Sequence, residues 1–169
     1  MFRIVLFEPE IPPNTGNVIR LCANTGAELH LIKPLGFDLD RRSVRRAGLD
    51  YRWMTAVHVH ENFAACRRAI AEAAGTQPPH WYAIETGGHR RYDEARYVAG
   101  DVLLFGSERR GLPTPLLEEL GEDALLSIPM REGNRSLNLS NAVTLVTYEA
   151  WRQNGFEIRP AAAISPPGA

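Results

Sequence analysis

Short apolar runs alternate with helical or turn segments along most of the chain. Each run spans four to six residues and is rich in aliphatic and aromatic side chains, which is typical of buried strands. Strands separated by helices form parallel sheets, because each connection must return over a face of the sheet before the next strand begins. The alternation therefore predicts an α/β fold with a mainly parallel sheet. Its predicted strands are residues 2–7, 28–32, 55–59, 81–85, 102–105 and 125–128.

Helices are predicted at residues 62–74, 115–120 and 139–154. The last of these carries an apolar stripe, formed by Ala142, Val143, Val146 and Ala150. No internal repeat or linker interrupts the sequence pattern, so residues 1–155 are predicted to form one domain. Residues 156–169 are rich in proline and alanine without periodicity, which predicts a mobile C-terminal tail.

The composition limits the classes of protein to which the chain can belong. With 169 residues, 44% of them hydrophobic, it is long enough for one globular domain with a sizeable core. The sequence has no apolar run of about 18 residues that could span a membrane, and its first residues form a strand pattern rather than a signal peptide. Cys22 and Cys66 lack the paired spacing of a disulfide framework or a zinc site. These features favour a reducing cytoplasm.

His58 and His60 alternate along one predicted strand, so their side chains share a face. This spacing is compatible with a metal-binding pair. No carboxylate–histidine cluster lies nearby in the sequence, and the expected interpretation is an ordinary strand surface without a metal.

The segment EPEIPPNTGNVIRLCANTG, residues 8–26, leads from the first strand into an amphipathic helix. Prolines stiffen its loop, Asn14 or Thr15 is predicted to cap the helix, and Gly26 is predicted to end it. One face of the helix is polar and consists of Asn17, Arg20 and Asn24. Such a face is either solvated or functional, and this segment alone leaves both interpretations open.

The basic residues of the chain are 18 arginines and one lysine, although the net charge is only −1. Five arginines fall within twelve residues, beside Tyr51 and Trp53: Arg41, Arg42, Arg45, Arg46 and Arg52. Guanidinium groups bind phosphates in a bidentate manner, and aromatic rings stack on unpaired bases. The run predicts contact with RNA or phosphate, and it is equally compatible with a solvated surface turn.

Common nucleotide-binding motifs are missing from the sequence. A Rossmann domain would show G-x-G-x-x-G directly after its first strand, and a P-loop would end in G-K-[ST]. Glycines and turn residues cluster instead in FGSERRGLP, residues 105–113, and IPMREGNRSLNLSNAV, residues 128–143. Both segments follow strands, so we expect them to emerge from one edge of the parallel sheet and to form the candidate site there.

Three segments occur in the order and spacing of a known motif set: NTGNVIR, FGSERRGL, and IPM followed by SLNLSNA. In them the chain closely resembles the 2'-O-methylating branch of the SPOUT class of S-adenosylmethionine (AdoMet)-dependent RNA methyltransferases. The resemblance runs from residue 2 to about residue 155. The opening segment is similar to that of the small single-domain enzymes that methylate the wobble nucleotide, cytidine or uridine 34, of tRNA. This implies a parallel sheet whose C-terminal part forms a deep trefoil knot, an exception to the rule that chains do not thread.

The resemblance also assigns residues to a cofactor site in the loops of the knot. Taken alone, these residues would be interpreted as ordinary core and turn residues. The implied AdoMet-binding residues are Ile84, Gly106, Ile128, Met130, Ser136 and Leu137. A glycine would let backbone approach the ligand closely. The product would be S-adenosyl-L-homocysteine, and methyl transfer needs no metal.

The catalytic residues implied by the resemblance are Arg20, Asn14, Glu108, Ser136 and Asn138. Arg20 corresponds to the group that activates the ribose 2'-hydroxyl. Removing a proton from a guanidinium at pH 7 costs roughly 9 kcal/mol, so we expect stabilisation of the developing alkoxide rather than general-base catalysis. Asn14, with Asn17, would orient Arg20 or the ribose. Glu108 would lie near the sulfonium or near Arg20, and Ser140 is expected to cap the last helix.

The implied partners are a tRNA anticodon arm and a second copy of the chain. The apolar stripe of the last helix, flanked by Tyr148 and Trp151, is the expected homodimer surface. Two other functions stay open: methylation of ribosomal RNA, and a non-catalytic RNA-binding or ribosome-associated module with the same fold. A Ser–His hydrolase is disfavoured, because no G-x-S-x-G elbow is present.

Overall fold

The computed structural model of the protein describes residues 1–38 and 57–157. Within these ranges, seven strands form one sheet in which every pairing is parallel. The strands are β1 (Arg3–Phe7), β2 (Glu28–Ile32), β3 (Val57–His60), β4 (Trp81–Ile84), β5 (Arg90–Arg91), β6 (Val102–Phe105) and β7 (Leu125–Ser127). Their order across the sheet is β3-β2-β1-β6-β4-β7-β5, which confirms the predicted α/β class.

Helices cover both faces of this sheet. They are α1 (Pro12–Thr25), α2 (Phe63–Ala74), α3 (Thr114–Leu120) and α4 (Leu139–Gln153). Helices α1 and α4 contact each other and share one apolar core with alternate residues of the central strands. Helices α2 and α3 pack with the intervening strand residues in a second core. The chain thus buries both faces of its central strands, as continuous apolar strand sequences require.

The predicted strands match the structure to within two residues, apart from residues 55 and 56, which lie outside the described ranges. Strand β5 was not predicted, because two consecutive arginines carry no apolar strand pattern. The apolar stripe of the last helix is present, but Val143, Val146 and Ala150 are buried in the chain's own core. It is therefore unavailable as a dimer surface.

The start of α1 differs from the prediction. Asn14 and Thr15 are buried inside the helix, and the N-cap position is Ile11, whose side chain makes no capping hydrogen bond. Prolines occupy the first helical positions, where a missing N–H costs nothing. The predicted end is confirmed, since Gly26 adopts a left-handed conformation with φ 74°.

The arginine run at residues 41–52 and the predicted tail beyond residue 157 fall outside the described residues. Among the helices that are described, none combines the length and apolarity needed to cross a bilayer.

The order of the strands reverses at the central pair β1 and β6: β2 and β3 lie on one side of this pair, and β4, β7 and β5 lie on the other. In open parallel sheets, a crevice for ligands forms at such a point, outside the carboxyl ends of the strands.

Candidate active site

A cavity of about 720 Å³ lies at the carboxyl edge of the sheet. Its walls come from the loops after β4, β6 and β7 and from the first turns of α1 and α4. The structure brings all six predicted cofactor residues to this cavity: Ile84, Gly106, Ile128, Met130, Ser136 and Leu137. They come from three loops that are far apart in the sequence, and they meet because parallel strands end at the same edge.

The loop after β6 folds tightly on itself. Ser107 and Gly111 exchange two backbone hydrogen bonds, with N···O distances of 3.2 and 2.9 Å. A Cβ atom added to Gly106 would lie 2.1 Å from the carbonyl carbon of Gly111, far inside van der Waals contact. Glycine at position 106 is therefore required by the loop's own backbone packing, whereas the sequence had suggested close approach to a ligand.

Glu85 holds this loop against the end of β4. Its carboxylate accepts a hydrogen bond from the backbone N–H of Leu112 at 2.7 Å. Burial raises the pKa of the Glu85 carboxyl, while hydrogen bonds from the Leu112 and Thr86 amides oppose the rise. A Cβ atom at Gly111, where φ is +65°, would come within 2.9 Å of Glu85 Oε1. Sequence reasoning missed Glu85, although its signal was present: a carboxylate directly ending an apolar strand.

A chain of hydrogen bonds joins the three motif segments at the side of the cavity. Glu108 accepts from the backbone N–H groups of Glu10 at 2.7 Å and Ile11 at 3.1 Å. It also accepts from Asn14 Nδ2 at 2.9 Å. The Asn14 Oδ1 atom in turn accepts from Asn138 Nδ2 at 2.9 Å. Three of the five predicted catalytic residues therefore form one connected network.

This network explains the unusual start of α1. The Glu108 carboxylate accepts from the two backbone N–H groups that directly precede α1, where a negative charge is also favoured by the helix dipole. Asn138 caps α4, because its Oδ1 atom accepts from the Ser140 N–H at 2.9 Å and from the Ser140 hydroxyl at 2.8 Å. The prediction that Ser140 is the cap is therefore wrong, and Asn138 serves both the helix and the network.

Arg20 lies apart from this arrangement. Together with Asn17 and Asn24, it is on the exposed face of α1, as the helical spacing predicted. It is not among the residues that line the cavity of its own chain, whereas Asn14, Glu108, Ser136 and Asn138 are. Arg20 therefore lies outside the cavity wall of its own chain.

The sequence profile described as the SpoU rRNA Methylase family matches residues 1–148. The chain belongs to the SpoU methylase family. The matched range contains all three motif segments and every residue that lines the cavity.

Individual SpoU relatives agree over nearly the whole chain. A tRNA (cytidine(34)-2'-O)-methyltransferase of Burkholderia ambifaria is 53% identical over 157 residues, which cover 93% of this chain and 98% of the relative. A solved structure reported for the 2-OH methylation of C/U34 on tRNA is 43% identical with a TM-score of 0.81, covering 93% and 98%. An AdoMet-bound rRNA methyltransferase from Sinorhizobium meliloti is 29% identical with a TM-score of 0.75, covering 89% of this chain and 56% of that one.

The cavity fits the cofactor that a SpoU methylase requires. Its volume lies within the range of roughly 300–1,000 Å³ that is usual for small-molecule sites. Ile84 and Ile128 offer apolar contact for an adenine, and the Glu85 and Glu108 carboxylates give the cavity wall negative charge that suits a sulfonium cation. At the rim, the guanidinium groups of Arg109 and Arg110 are more than two-thirds exposed and suit carboxylate or phosphate groups.

Replacing Glu85 tests whether this residue shapes the cavity. Glu85→Ala leaves the Leu112 N–H without its acceptor, so we expect AdoMet affinity to fall by about tenfold or more. Glu85→Gln keeps an acceptor oxygen and should change affinity by less than about threefold. Calorimetric titration with AdoMet measures both, with the exposed Glu118→Gln as the matched control.

The same pair of variants has a second readout in the free energy of unfolding. Burial raises the folded-state pKa of Glu85 above its unfolded value, so the folded protein binds this proton more tightly than the unfolded chain does. Relative to Glu85→Gln, the wild type should therefore lose stability as pH rises through the raised pKa. Equal AdoMet affinities for the wild type, Glu85→Ala and Glu85→Gln, together with parallel curves of unfolding free energy against pH, would show that Glu85 has no such role.

Proposed function

We propose that the protein is an AdoMet-dependent methyltransferase that methylates the ribose 2'-hydroxyl of the wobble nucleotide, position 34, of tRNA. The observation that carries this conclusion is the network from Glu108 through Asn14 to Asn138, which joins all three motif segments beside the cavity. Relatives that share about half of their residues with the chain, over nearly its whole length, are tRNA (cytidine(34)-2'-O)-methyltransferases. The substrate is therefore cytidine or uridine 34, presented by the anticodon arm.

The chemistry divides between the cofactor and the chain. Bound AdoMet supplies a methyl group on a positively charged sulfur. The residues of the chain must position the ribose and favour negative charge on the 2'-oxygen as its proton leaves. Arg20 is suited to the second task, because a guanidinium stabilises an alkoxide but gives up its own proton only at a cost of roughly 9 kcal/mol. Asn14 and Ser136 lie at the cavity and can orient the ribose.

Arg20 can reach a cavity if the enzyme is a homodimer. The exposed surface around α1 and α4 carries apolar side chains that the chain's own core leaves uncovered, namely Ile11, Leu137, Leu145 and Tyr148. Ile11 and Leu137 also line the cavity, so this surface is continuous with the site. A second chain packed here would place its own exposed α1 face, with Arg20, close to the cavity of the first. Each active site would then combine the cofactor cavity of one protomer with Arg20 of the other.

The dimer surface is tested by introducing charge into it. Leu145→Glu and Tyr148→Glu should convert the protein to monomers, because an unpaired carboxylate is costly in a buried interface. Val98→Glu is the matched control: Val98 is at least as exposed but lies in the connection before β6, outside α1 and α4. Light scattering at micromolar concentration gives the oligomeric state. A monomeric wild type, or monomers produced only by Val98→Glu, would contradict the proposed interface.

The arginine run is proposed to contact tRNA phosphates. Two double variants test this contact, one with alanine at both Arg41 and Arg42 and the other with alanine at both Arg45 and Arg46. Each should weaken tRNA binding and lower the slope of log K against log salt by about one unit per lost contact. AdoMet affinity should not change. Binding titrations at several salt concentrations provide the measurement, and an unchanged slope in both double variants would assign the run to a solvated surface.

A C-terminal trefoil knot is also part of the proposal. Strand β7 lies between β4 and β5, although β5 directly follows β4 in the chain. The connection at residues 85–89 therefore crosses β7, and a Cβ atom at Gly88 would lie 2.6 Å from the Leu126 carbonyl carbon. This close crossing supports a knot in which β7 passes through the loop formed by residues 85–89.

The domain is proposed to extend to residue 155, with residues 156–169 as a tail.

Deletion of the gene tests the proposed substrate. Mass spectrometry of tRNA from a strain without the protein should show loss of 2'-O-methylation at position 34, with ribosomal RNA methylation unchanged. Loss from ribosomal RNA instead would favour the alternative rRNA substrate, and no loss from either would favour a non-catalytic RNA-binding module. We propose that the protein acts on tRNA in the cytoplasm.

A further inference from the structure

Three histidines and a cysteine meet at the β3 edge of the sheet, separate from the cavity described above. The His30 ring, on β2, stacks between the rings of His58 and His60 on β3, with centroid distances of 4.8 and 5.2 Å. His30 Nδ1 lies 2.9 Å from His60 Nε2. Cys66, in the second turn of α2, faces the same group. No residue of this cluster belongs to the proposed methyl-transfer site.

The positions of these residues follow from the register of the sheet. His30 pairs with His58 and Ile32 pairs with His60, so His30, His58 and His60 all project from one face. Asn62 then caps α2 by accepting from the Ala65 N–H at 2.9 Å. This cap fixes the start of α2 directly after β3 and turns Cys66 toward the sheet, where it is fully buried.

His30, His60 and Cys66 have the geometry of a metal site. One ligand atom from each lies within 4.8 Å of the other two. Around a tetrahedral zinc ion, with bonds of about 2.0 Å to nitrogen and 2.3 Å to sulfur, ligand atoms lie roughly 3.3–3.5 Å apart, so shifts of about 1 Å in the side chains would close the site. His30 is 5% exposed and Cys66 is 0% exposed, which shields two of the three ligands from water.

Glu28 supplies the outer contact that metal-bound histidines usually have. Its Oε2 atom lies 3.8 Å from His30 Nε2, and that nitrogen is buried and without a hydrogen bond among the described residues. Arg3 Nε donates to the same carboxylate oxygen at 3.2 Å and holds it in place. With a metal on Nδ1, the Nε2–H group of His30 would point to Glu28, which is the carboxylate–histidine–metal arrangement of many zinc sites.

We propose that His30, His60 and Cys66 bind one divalent transition metal ion, with Zn²⁺ as the preferred ion and water in the fourth position. Imidazole nitrogen and thiolate sulfur are the ligands that zinc prefers, and the partly exposed His60 leaves the fourth position open to solvent. Binding converts the Cys66 thiol to a thiolate and releases its proton to solvent. The ion ties β2, β3 and α2 together, and β2 and β3 are the strands that flank the arginine run in the sequence.

Cobalt substitution tests the site directly. The full-length protein, stripped of metal with a chelator under reducing conditions, is titrated with CoCl₂ and, in parallel, with ZnCl₂ by calorimetry. We expect one Co²⁺ per chain, a thiolate-to-cobalt charge-transfer band, and intense visible bands of tetrahedral coordination. ZnCl₂ should abolish these bands by displacement and raise the melting temperature.

Variants identify the ligands. Cys66→Ala should remove the charge-transfer band and weaken Zn²⁺ binding by about 100-fold or more. Cys22→Ala, which removes the other buried cysteine, and His89→Ala, which removes an exposed histidine elsewhere, should change neither. If Cys66→Ala does not fold, His60→Ala, whose ring is partly exposed, carries the same test through Zn²⁺ affinity. A wild type without a charge-transfer band, or a band that survives in Cys66→Ala or disappears in Cys22→Ala, would overturn the proposal.

Discussion

Arg20→Ala is expected to slow single-turnover methyl transfer to tRNA by about 100- to 1,000-fold while AdoMet affinity stays unchanged. The loss corresponds to about 3–4 kcal/mol, which is typical for removing a preorganised charge at a developing oxyanion. AdoMet binding should survive because Arg20 does not line the cavity of its own chain. Arg20→Lys should restore little activity, since an ammonium on a flexible stem does not reproduce the planar guanidinium.

Arg68→Ala is the matched control for charge, because Arg68 is an exposed arginine on α2, on the opposite side of the sheet. It should leave both the rate and the affinity unchanged. A wild-type rate in Arg20→Ala, with AdoMet affinity intact, would show that the polar face of α1 is only solvated.

Gly106→Val is expected to abolish measurable AdoMet binding, an effect of at least about 100-fold. A Cβ atom at this position would lie 2.1 Å from the Gly111 carbonyl carbon. The backbone at Gly106 and the backbone at Gly111 cannot move apart without opening the loop that forms one wall of the cavity. The matched control is Gly87→Val, because a Cβ atom at Gly87 meets nothing within 4 Å. Calorimetry gives the affinities, and circular dichroism shows that the sheet is retained. Wild-type affinity in Gly106→Val would contradict the described loop.

These two variants can be combined to test the proposed sharing of the active site between two chains. When Arg20→Ala and Gly106→Val chains are mixed and allowed to exchange, a mixed dimer has one intact site only if Arg20 acts on the partner's cofactor. In that case, methyl-transfer activity should return in proportion to the fraction of mixed dimers, each of which has one intact site. If Arg20 acted within its own chain, both sites of the mixed dimer would stay defective and no activity would return.

Local sequence patterns predicted the elements well, because strand and helix periodicity depend on neighbouring residues. Strands β2 and β6 have the predicted ends, and α2 and α4 differ from prediction by a single residue at one end. The order of the strands was not predictable in this way. Nothing within β7 itself indicates that it lies between β4 and β5, because that placement depends on contacts between distant segments.

The cavity was predicted in part from the same local features. Turn-rich segments after parallel strands meet at one edge, so the meeting of residues 105–113 and 128–143 followed from topology. The assignment of Gly106, Ile128 and Ser136 to the site came only from the motif resemblance. The partner of each polar side chain was harder to foresee. Glu108 accepts hydrogen bonds from the backbone just before a helix that begins 96 residues earlier, counted from Pro12, and no local sequence pattern predicts this contact.

The histidine cluster shows the same limit. His58 and His60 alone gave no reason to expect a metal, since their possible partners lie elsewhere in the sequence. The parallel register of β2 and β3 brings His30 to them, and the cap of α2 brings Cys66. Long-range pairing, which periodicity does not encode, decides whether such residues form a surface or a site.

If the methyl group is attached to the 2'-oxygen of nucleotide 34, a tRNA without that oxygen cannot be methylated there. The purified enzyme is incubated with labelled AdoMet and one of two otherwise identical tRNAs, which carry either ribose or 2'-deoxyribose at position 34. Transfer of the label is then measured. We predict transfer of one methyl group per ribose-34 tRNA and none to the deoxy-34 tRNA. Equal transfer to both substrates would contradict methylation of the 2'-oxygen at position 34.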